Sequence, residues 1–217
     1  MDLADTALMQ GVTAAAVVRL RQAGIEHALA QDALVCVAGE PEVPVIFVLD
    51  GALRVFKSDA EGREQTVIVC TAGQVINLPV AFGADTRAPA NVQILSPQAT
   101  LFSVPRQAFV ETVIRDPALA LAVMRTLASL ARHLNDLVTD LSLRSVRQRL
   151  ARFLLEQMAT AATPSRWTHV EIATRLGTAR EVISRQMRAL IDEGVLRQER
   201  QRLVINDLDA LRRIAEE

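Results

Sequence analysis

The sequence predicts an α+β fold: a many-stranded N-terminal part, one long helix, and a C-terminal helix-turn-helix followed by a hairpin. Three observations carry that prediction. Between Ile25 and Pro105, short apolar runs rich in β-branched residues alternate with turn signals such as GEPEVP and DAEGRE, the pattern of an all-β sandwich or barrel. Between Pro117 and about Leu143, apolar residues recur every seven positions. Between Thr168 and Ile205, two helical segments stand one glycine apart and two β-prone runs follow, which together read as a winged helix.

Composition bounds what such a chain can be. Its 217 residues suffice for one large domain or two modest ones. Half are hydrophobic, enough for a core and too many for disorder. No run approaches the roughly 20 apolar residues of a membrane span. The start, MDLADTALMQ, lacks the basic head and apolar block of a signal peptide, so a cytoplasmic protein without membrane partners is expected. Net charge is −1, but it is unevenly spread. Residues 142–205 hold twelve arginines against six acidic residues, and residues 1–141 hold ten basic against fifteen acidic. A basic C-terminal part on an acidic N-terminal one fits a nucleic-acid reader attached to a separate module. No nucleophile elbow, Walker loop, HExxH or zinc-deaminase pattern occurs, so no enzyme is expected. Cys36 and Cys70 form no CxxC and no metal spacing; they are expected as small core residues, with a reactive thiol or disulfide as the alternative.

Taken in order, residues 11–23 predict a short helix ended by Gly24. ALVCVA, VIFVLDG, LRVFKS, TVIVC, NVQILS and ATLFSVP predict strands, with Gly51, Gly62 and Gly73 at turns. Pro105 to Arg115 reads as a helix, after which Asp116 can cap and Pro117 can open the long helix. In that helix Ala120, Leu127, Leu134 and Leu141 hold one seam position and Val123, Leu130 and Leu137 the other. Such a register suggests a coiled-coil partner, hence a homodimer. Met124, Ala131 and Val138 broaden the stripe enough to touch the chain's own β domain as well. Arg144 to Met158 is amphipathic, with Val146, Leu150, Phe153, Leu154 and Met158 on one side. Thr160 to Trp167 is expected as a loop, with Trp167 in the core, and Asn206 or Asp207 as the cap of a last helix.

The winged-helix segment is the most informative. Thr168 and Glu171 form a capping box, Ile172 and Leu176 give apolar spacing, and Gly177 makes the turn. Thr178 can cap the next helix, with Glu181 completing a second box and Gly194 ending it in a left-handed conformation. Ile183, Met187, Leu190 and Ile191 would be buried. Arg180, Glu181, Ser184, Arg185 and Arg188 fall on another face, with side chains able to reach base edges in a major groove. An ordinary solvated helix face shares this pattern; the neighbouring elements favour DNA. Arg185 matches O6 and N7 of guanine, and Glu181 can accept from cytosine. Arg180 can read a second guanine or hold a phosphate, and Ser184 can add a close contact to a thymine. Thr168, His169 and Thr178 at helix starts, Arg188 on the helix, and Arg197, Arg200 and Arg202 on the wing are expected on the DNA backbone.

The stretch TAREVISRQMRALIDEGVL resembles the DNA-binding domain of the CRP/FNR regulators, and the likeness spans about Arg144 to Ile205. It implies that Arg180, Glu181 and Arg185 read bases, with Ser184 where FNR-like members place a base-contacting serine. It further implies a pseudo-palindromic site with a TGA-like half-site core, and double-stranded DNA, a second copy and RNA polymerase as partners. Activation and repression both remain open. VIFVLDGALRVFKSDAEGREQTVIVCTAGQ is similar to the β-roll of cyclic-nucleotide-binding domains. The expected organisation is therefore a double-stranded β-roll sensor over 1–116, a dimerisation helix over 117–143 and a winged-helix DNA-binding domain over 144–217. The FNR-type cysteine cluster is absent.

The nucleotide cassette of the family departs from its pattern here. Members that bind cyclic nucleotides carry a Gly-Glu pair for the ribose and, after a loop, an Arg-Ser pair for the phosphate. In VINLPVAFGADTRAPANV, Asn77 and Leu78 replace the first pair, and Arg87 is kept while Ala88 replaces the serine. On the long helix Leu137 and Val138, with Leu134 close by in sequence, stand where CRP-like members place a Thr-Ser pair for the purine. Loss of the carboxylate alone forfeits about 1.5–3 kcal/mol, so cyclic AMP is disfavoured. Haem or another apolar molecule, a different polar or anionic effector, and a site filled by side chains stay open. His27 and His133 are the candidate haem ligands, against an ordinary surface or packing role. The rival reading of the whole chain is a small-molecule or haem-binding sensor or interaction module whose winged helix no longer reads DNA.

Overall fold

The computed structural model describes residues 1–159, 168–199 and 202–216. The chain divides into two compact units: Met1–Lys57 with Val67–Leu134, and Ser58–Thr66 with Asn135–Glu217.

After two short 3-10 helices, Leu3–Asp5 and Ala7–Met9, the first unit has α1 (Ala14–Ala23), capped by the Thr13 hydroxyl, which accepts from the Ala16 N–H. The strands follow: β1 (Ile25–Ala30), β2 (Leu34–Cys36), β3 (Val45–Asp50), β4 (Ala52–Ser58), β5 (Glu64–Thr71) and β6 (Val75–Ile76). Then come α2 (Leu78–Phe82), β7 (Asn91–Ile94), β8 (Gln98–Val104), α3 (Arg106–Arg115) and the long α4 (Pro117–Leu143), whose residues from Asn135 on belong to the second unit. Two four-stranded sheets result, in the orders β1-β8-β3-β6 and β2-β7-β4-β5. The double-stranded β-roll expected from the sequence is present.

Strand β3 explains the layering. Five successive residues, Val45 to Leu49, are buried. Because side chains alternate across a strand, Val45, Phe47 and Leu49 enter one core with Leu20, Phe109, Leu119 and Val123 of the helices. Ile46 and Val48 enter the other, between the sheets, with Leu53, Val92, Ile94 and Leu101. A strand covered on both faces needs an uninterrupted apolar run. Gly51 turns β3 into β4 at φ +88°, where a Cβ would lie 2.6–2.8 Å from Ser96, Gln98 and Ala99. Gly24 ends α1 for a different reason: its backbone is extended, and a Cβ would strike the Phe102 ring at 2.4 Å.

The start of α4 is fixed by Asp116, buried and accepting from the Leu119 N–H at 2.9 Å and from the Thr13 hydroxyl. Its first turns lie on the unit's own core. Val123, expected at the seam, is only 3% exposed and is a core residue instead, whereas Ala120 and Leu127 pack against the same cluster while partly exposed. Beyond them the stripe is open: Leu134 is 38% exposed, Val138 61%, and Leu141 and Leu143 are exposed too.

The second unit holds α5 (Val146–Ala159), α6 (His169–Leu176), α7 (Arg180–Asp192), the hairpin β9 (Leu196–Glu199) and β10 (Arg202–Ile205), and α8 (Leu208–Glu216). Its core joins Leu150, Phe153, Ile172, Leu176, Ile183, Met187, Leu190 and Leu196 with Leu211 and Ile214. Met158, expected on the buried side of α5, is instead 50% exposed. Asp207 rather than Asn206 caps α8, accepting from the Ala210 N–H; the Asn206 amide donates to the Gly194 carbonyl. The stretch Thr160–Trp167, expected as a loop with Trp167 in the core, lies outside the described residues, as does Arg200.

Candidate nucleic-acid interface

The turn between α6 and α7 sets up the site. Thr168 caps α6 in a full capping box with Glu171. Gly177 then adopts φ +62°, and the Thr178 N–H reaches back to the Ala173 carbonyl. That bond closes the turn through Thr178, so the cap of α7 moves one residue on. Ala179 takes the extended N-cap conformation and offers no side-chain bond. The capping box expected from Thr178 and Glu181 does not form. The first N–H groups of α7 are left without a side-chain partner, and Glu181 is free of the capping role.

The far end of α7 is tied down firmly. Gly194 is left-handed at φ +75°. The Val195 N–H bonds the Leu190 carbonyl and the Gly194 N–H bonds that of Ile191, both at 2.9 Å, the paired bonds of a Schellman motif. The Arg147 guanidinium on α5 grips the Glu193 carboxylate with both nitrogens and holds its pKa below the usual carboxylate range. These partners are 46 residues apart, so no local sequence signal could have paired them.

Between these ends α7 buries Ile183, Met187 and Leu190 and half-buries Ile191. Arg180, Glu181, Arg185 and Arg188 are exposed. Among the described residues none of these four side chains has an ion pair or hydrogen bond. Glu181 and Arg185, one turn apart, could have neutralised each other; they do not, and both keep their bonding capacity. Ser184 is half-buried, and its Oγ lies 3.2 Å from His169 Nδ1 at the start of α6. This pairing was not foreseen from the sequence. Thr168 is exposed and Thr178 half-buried. Arg197 is exposed on β9 opposite Val204, and Arg202 opens β10 opposite Glu199.

The cassette positions of the β-roll are packed. Asn77 is left-handed at φ +66°, buried, and donates from Nδ2 to the Pro44 carbonyl. Leu78 is 2% exposed and lies in the core shared with Phe47 and Phe109. Ala88 is 4% exposed in the core between the sheets, its backbone bonded to Gly39 and Glu40 at 2.8 Å each. Arg87 is exposed and donates to the Gly39 carbonyl. On α4, Leu137 is half-buried. Burial pushes the Cys36 and Cys70 thiols up to about 11, so both are inert core residues. His27 Nε2 lies 3.4 Å from the Ser103 hydroxyl and His133 Nε2 2.9 Å from the Val67 carbonyl, so one ring nitrogen of each faces a partner within the β-roll. Among the described residues no cluster suits a metal ion, and no helix is long and apolar enough to cross a membrane.

A helix-turn-helix with a hairpin wing, following a β-roll in the sequence, defines a DNA-binding regulator with a sensor-type domain. Comparison with known proteins agrees. Residues 26–116 match the cyclic nucleotide-binding domain and residues 148–214 the Crp-like helix-turn-helix domain. The chain is 24% identical over 221 residues, 98% of each sequence, to a CRP-like cAMP-activated global transcriptional regulator of Mycobacterium tuberculosis. It is 27% identical over 151 residues, 69% of each, to a cyclic AMP receptor protein of Thermus thermophilus. Its fold is similar to that of a crp/fnr-family transcriptional regulator from Eubacterium rectale, with TM-score 0.81, 21% identity, and 97% and 98% of the two chains covered. It is also similar to the c-di-GMP responsive regulator CLP of Xanthomonas campestris, with TM-score 0.77, 16% identity, and 89% and 99% covered. The chain belongs to the CRP/FNR family of transcription regulators, whose members bind DNA and usually act as dimers.

Proposed function

We propose that this regulator is a homodimer that reads a pseudo-palindromic operator with a TGA-like half-site core, and that cyclic AMP does not control it. The exposed face of α7 carries the reading. Arg180, Glu181 and Arg185 are exposed and, among the described residues, have no partners of their own, and a second copy would place its equivalent helix about one helical turn, roughly 34 Å, along the duplex. Thr168, His169, Thr178, Arg188, Arg197, Arg200 and Arg202 set register on the backbone, and RNA polymerase is the partner through which binding acts. The protein works where the DNA is, in the cytoplasm.

The cassette supports the second half of the proposal. At the ribose and phosphate positions Leu78 and Ala88 are core residues, so a nucleotide would have to displace packed side chains rather than meet a carboxylate and a hydroxyl. Binding to a randomised operator pool tests the first half. Arg185→Ala should weaken the selected site by about 1–3 kcal/mol and relax preference at one base pair. Arg188→Ala should weaken all sequences alike and flatten the salt dependence. An unchanged consensus with Arg185→Ala would remove α7 from the role of reading helix.

A further inference from the structure

Ser184 stands on the reading face of α7, and His169 opens α6. Their Oγ and Nδ1 atoms are 3.2 Å apart, hydrogen-bonding distance. Among the described residues neither side chain has another hydrogen bond. A serine hydroxyl has one proton and two acceptor lone pairs; a neutral imidazole donates from one nitrogen and accepts at the other. For the neutral ring two arrangements are therefore open, whereas a protonated ring would donate from both nitrogens. With the ring proton on Nδ1, His169 donates to Ser184 and presents a bare Nε2. With the proton on Nε2, Ser184 gives its only proton to Nδ1.

DNA decides between them. Phosphate oxygens only accept, so a contact from His169 to the backbone requires the proton on Nε2, and the bond at one ring nitrogen sets the role of the other. The tautomer that holds phosphate is thus the one that takes up the hydroxyl proton of Ser184. We propose that His169 is a positioning residue that makes Ser184 an acceptor-only reader, so that the base it meets carries an amino group: adenine or cytosine, not guanine or thymine. A free serine discriminates poorly, because it can donate or accept. In the major groove only adenine N6 and cytosine N4 donate, while guanine and thymine present acceptors. A backbone contact at the start of α6 thereby restricts a base choice on α7. This rests on the proposed assignments of α7 as the reading helix and of a neutral His169 to the DNA backbone.

Full-length protein is tested by randomised-operator selection as wild type, Ser184→Ala, His169→Ala and His169→Asn. The base pair read through Ser184 is the one whose preference collapses in Ser184→Ala, and the contacted strand is the one on which deleting the base's major-groove 4- or 6-substituent weakens wild type but not Ser184→Ala. There the wild type should favour adenine or cytosine on the contacted strand by about 2- to 10-fold, the weight of one hydrogen bond. His169→Ala should admit guanine and thymine at that pair and leave the pairs read by Arg185 and Glu181 unchanged. His169→Asn, which can place an acceptor near the position of Nδ1, should keep the preference. Replacing the adenine by a purine lacking the 6-amino group should weaken wild-type binding by the same factor and leave Ser184→Ala unaffected. Uniform weakening by His169→Ala with the preference intact would overturn the proposal, as would a wild-type preference for guanine or thymine or a Ser184→Ala variant that alters no pair. If wild type selects no sequence at any pair, the assignment of α7 fails along with it, a result separable from the others because the Arg185 and Glu181 pairs vanish too.

Discussion

Asp116 shows how one carboxylate joins two helices. It caps α4 through the Leu119 N–H and receives the Thr13 hydroxyl, which itself caps α1. These bonds, the one from Thr13 foremost, lower its pKa below the ordinary value of 3.8. A carboxyl that ionises more readily folded than unfolded adds stability that is complete above the unfolded pKa and fades as pH falls through the folded one. Asp116→Asn keeps the shape and a good cap residue but replaces charge-assisted bonds with neutral ones. The variant should melt as if about 1 kcal/mol less stable at neutral pH, and the gap to wild type should close as pH drops below about 4. Melting curves across that range check this; a gap constant with pH would mean the charge contributes nothing. At this scale much of the site was legible. Residue type and helical spacing alone separate Arg180, Glu181, Arg185 and Arg188 from Ile183, Met187 and Leu190. The His169–Ser184 pair and the Arg147–Glu193 grip were not, because each joins residues brought together only by the turn or by helix packing.

At the scale of elements, α4 is one helix with two kinds of neighbour. Its first turns bury Leu119 and Val123 in the β-roll core, while Leu134, Val138 and Leu141 stay exposed. An unbroken heptad of apolar residues could not reveal that division, since a face packed on its own domain and one awaiting a partner copy carry the same residue types. The exposed part is the portion that a second copy would cover. Leu134→Arg would set like charges against each other across such a seam and touch none of the residues in the β-roll core. Sedimentation should then show monomers whose secondary structure is intact, with operator binding lost at concentrations where wild type is saturated. A variant that remains dimeric would place the interface elsewhere. Helix α7 teaches a similar lesson about caps: Thr-x-x-Glu was a sound signal, but the left-handed Gly177 carries the turn one residue further and gives the cap to Ala179. At its other end the left-handed Gly194 terminates the helix as the sequence predicts, because glycine takes a backbone conformation that other residues adopt only at a cost.

Over the whole molecule, charge and packing divide between the two parts of the chain. The excess of arginine lies in residues 142–205 and the excess of acid in residues 1–141, so attraction for DNA resides in one part and the sensor-type fold in the other. Cyclic AMP bound to the folded state alone would stabilise it by mass action. With a dissociation constant on the order of 10 µM, about 1 mM nucleotide would add roughly 2.7 kcal/mol. For a chain of this size that is a rise in Tm of about 5–10 °C, far outside the scatter of a melting experiment. The packed state of Leu78 and Ala88 predicts a rise below about 1 °C. It also predicts operator affinity that is the same with and without the nucleotide. Both measurements are needed, since a ligand that bound both DNA-competent and incompetent states equally would raise Tm and shift no equilibrium. A rise of several degrees would mean that the cassette opens around the nucleotide despite its apolar lining. A rise with unchanged operator affinity would separate binding from control, and in that case Asn77 and Arg87, the polar side chains at the cassette positions, would be the first to replace.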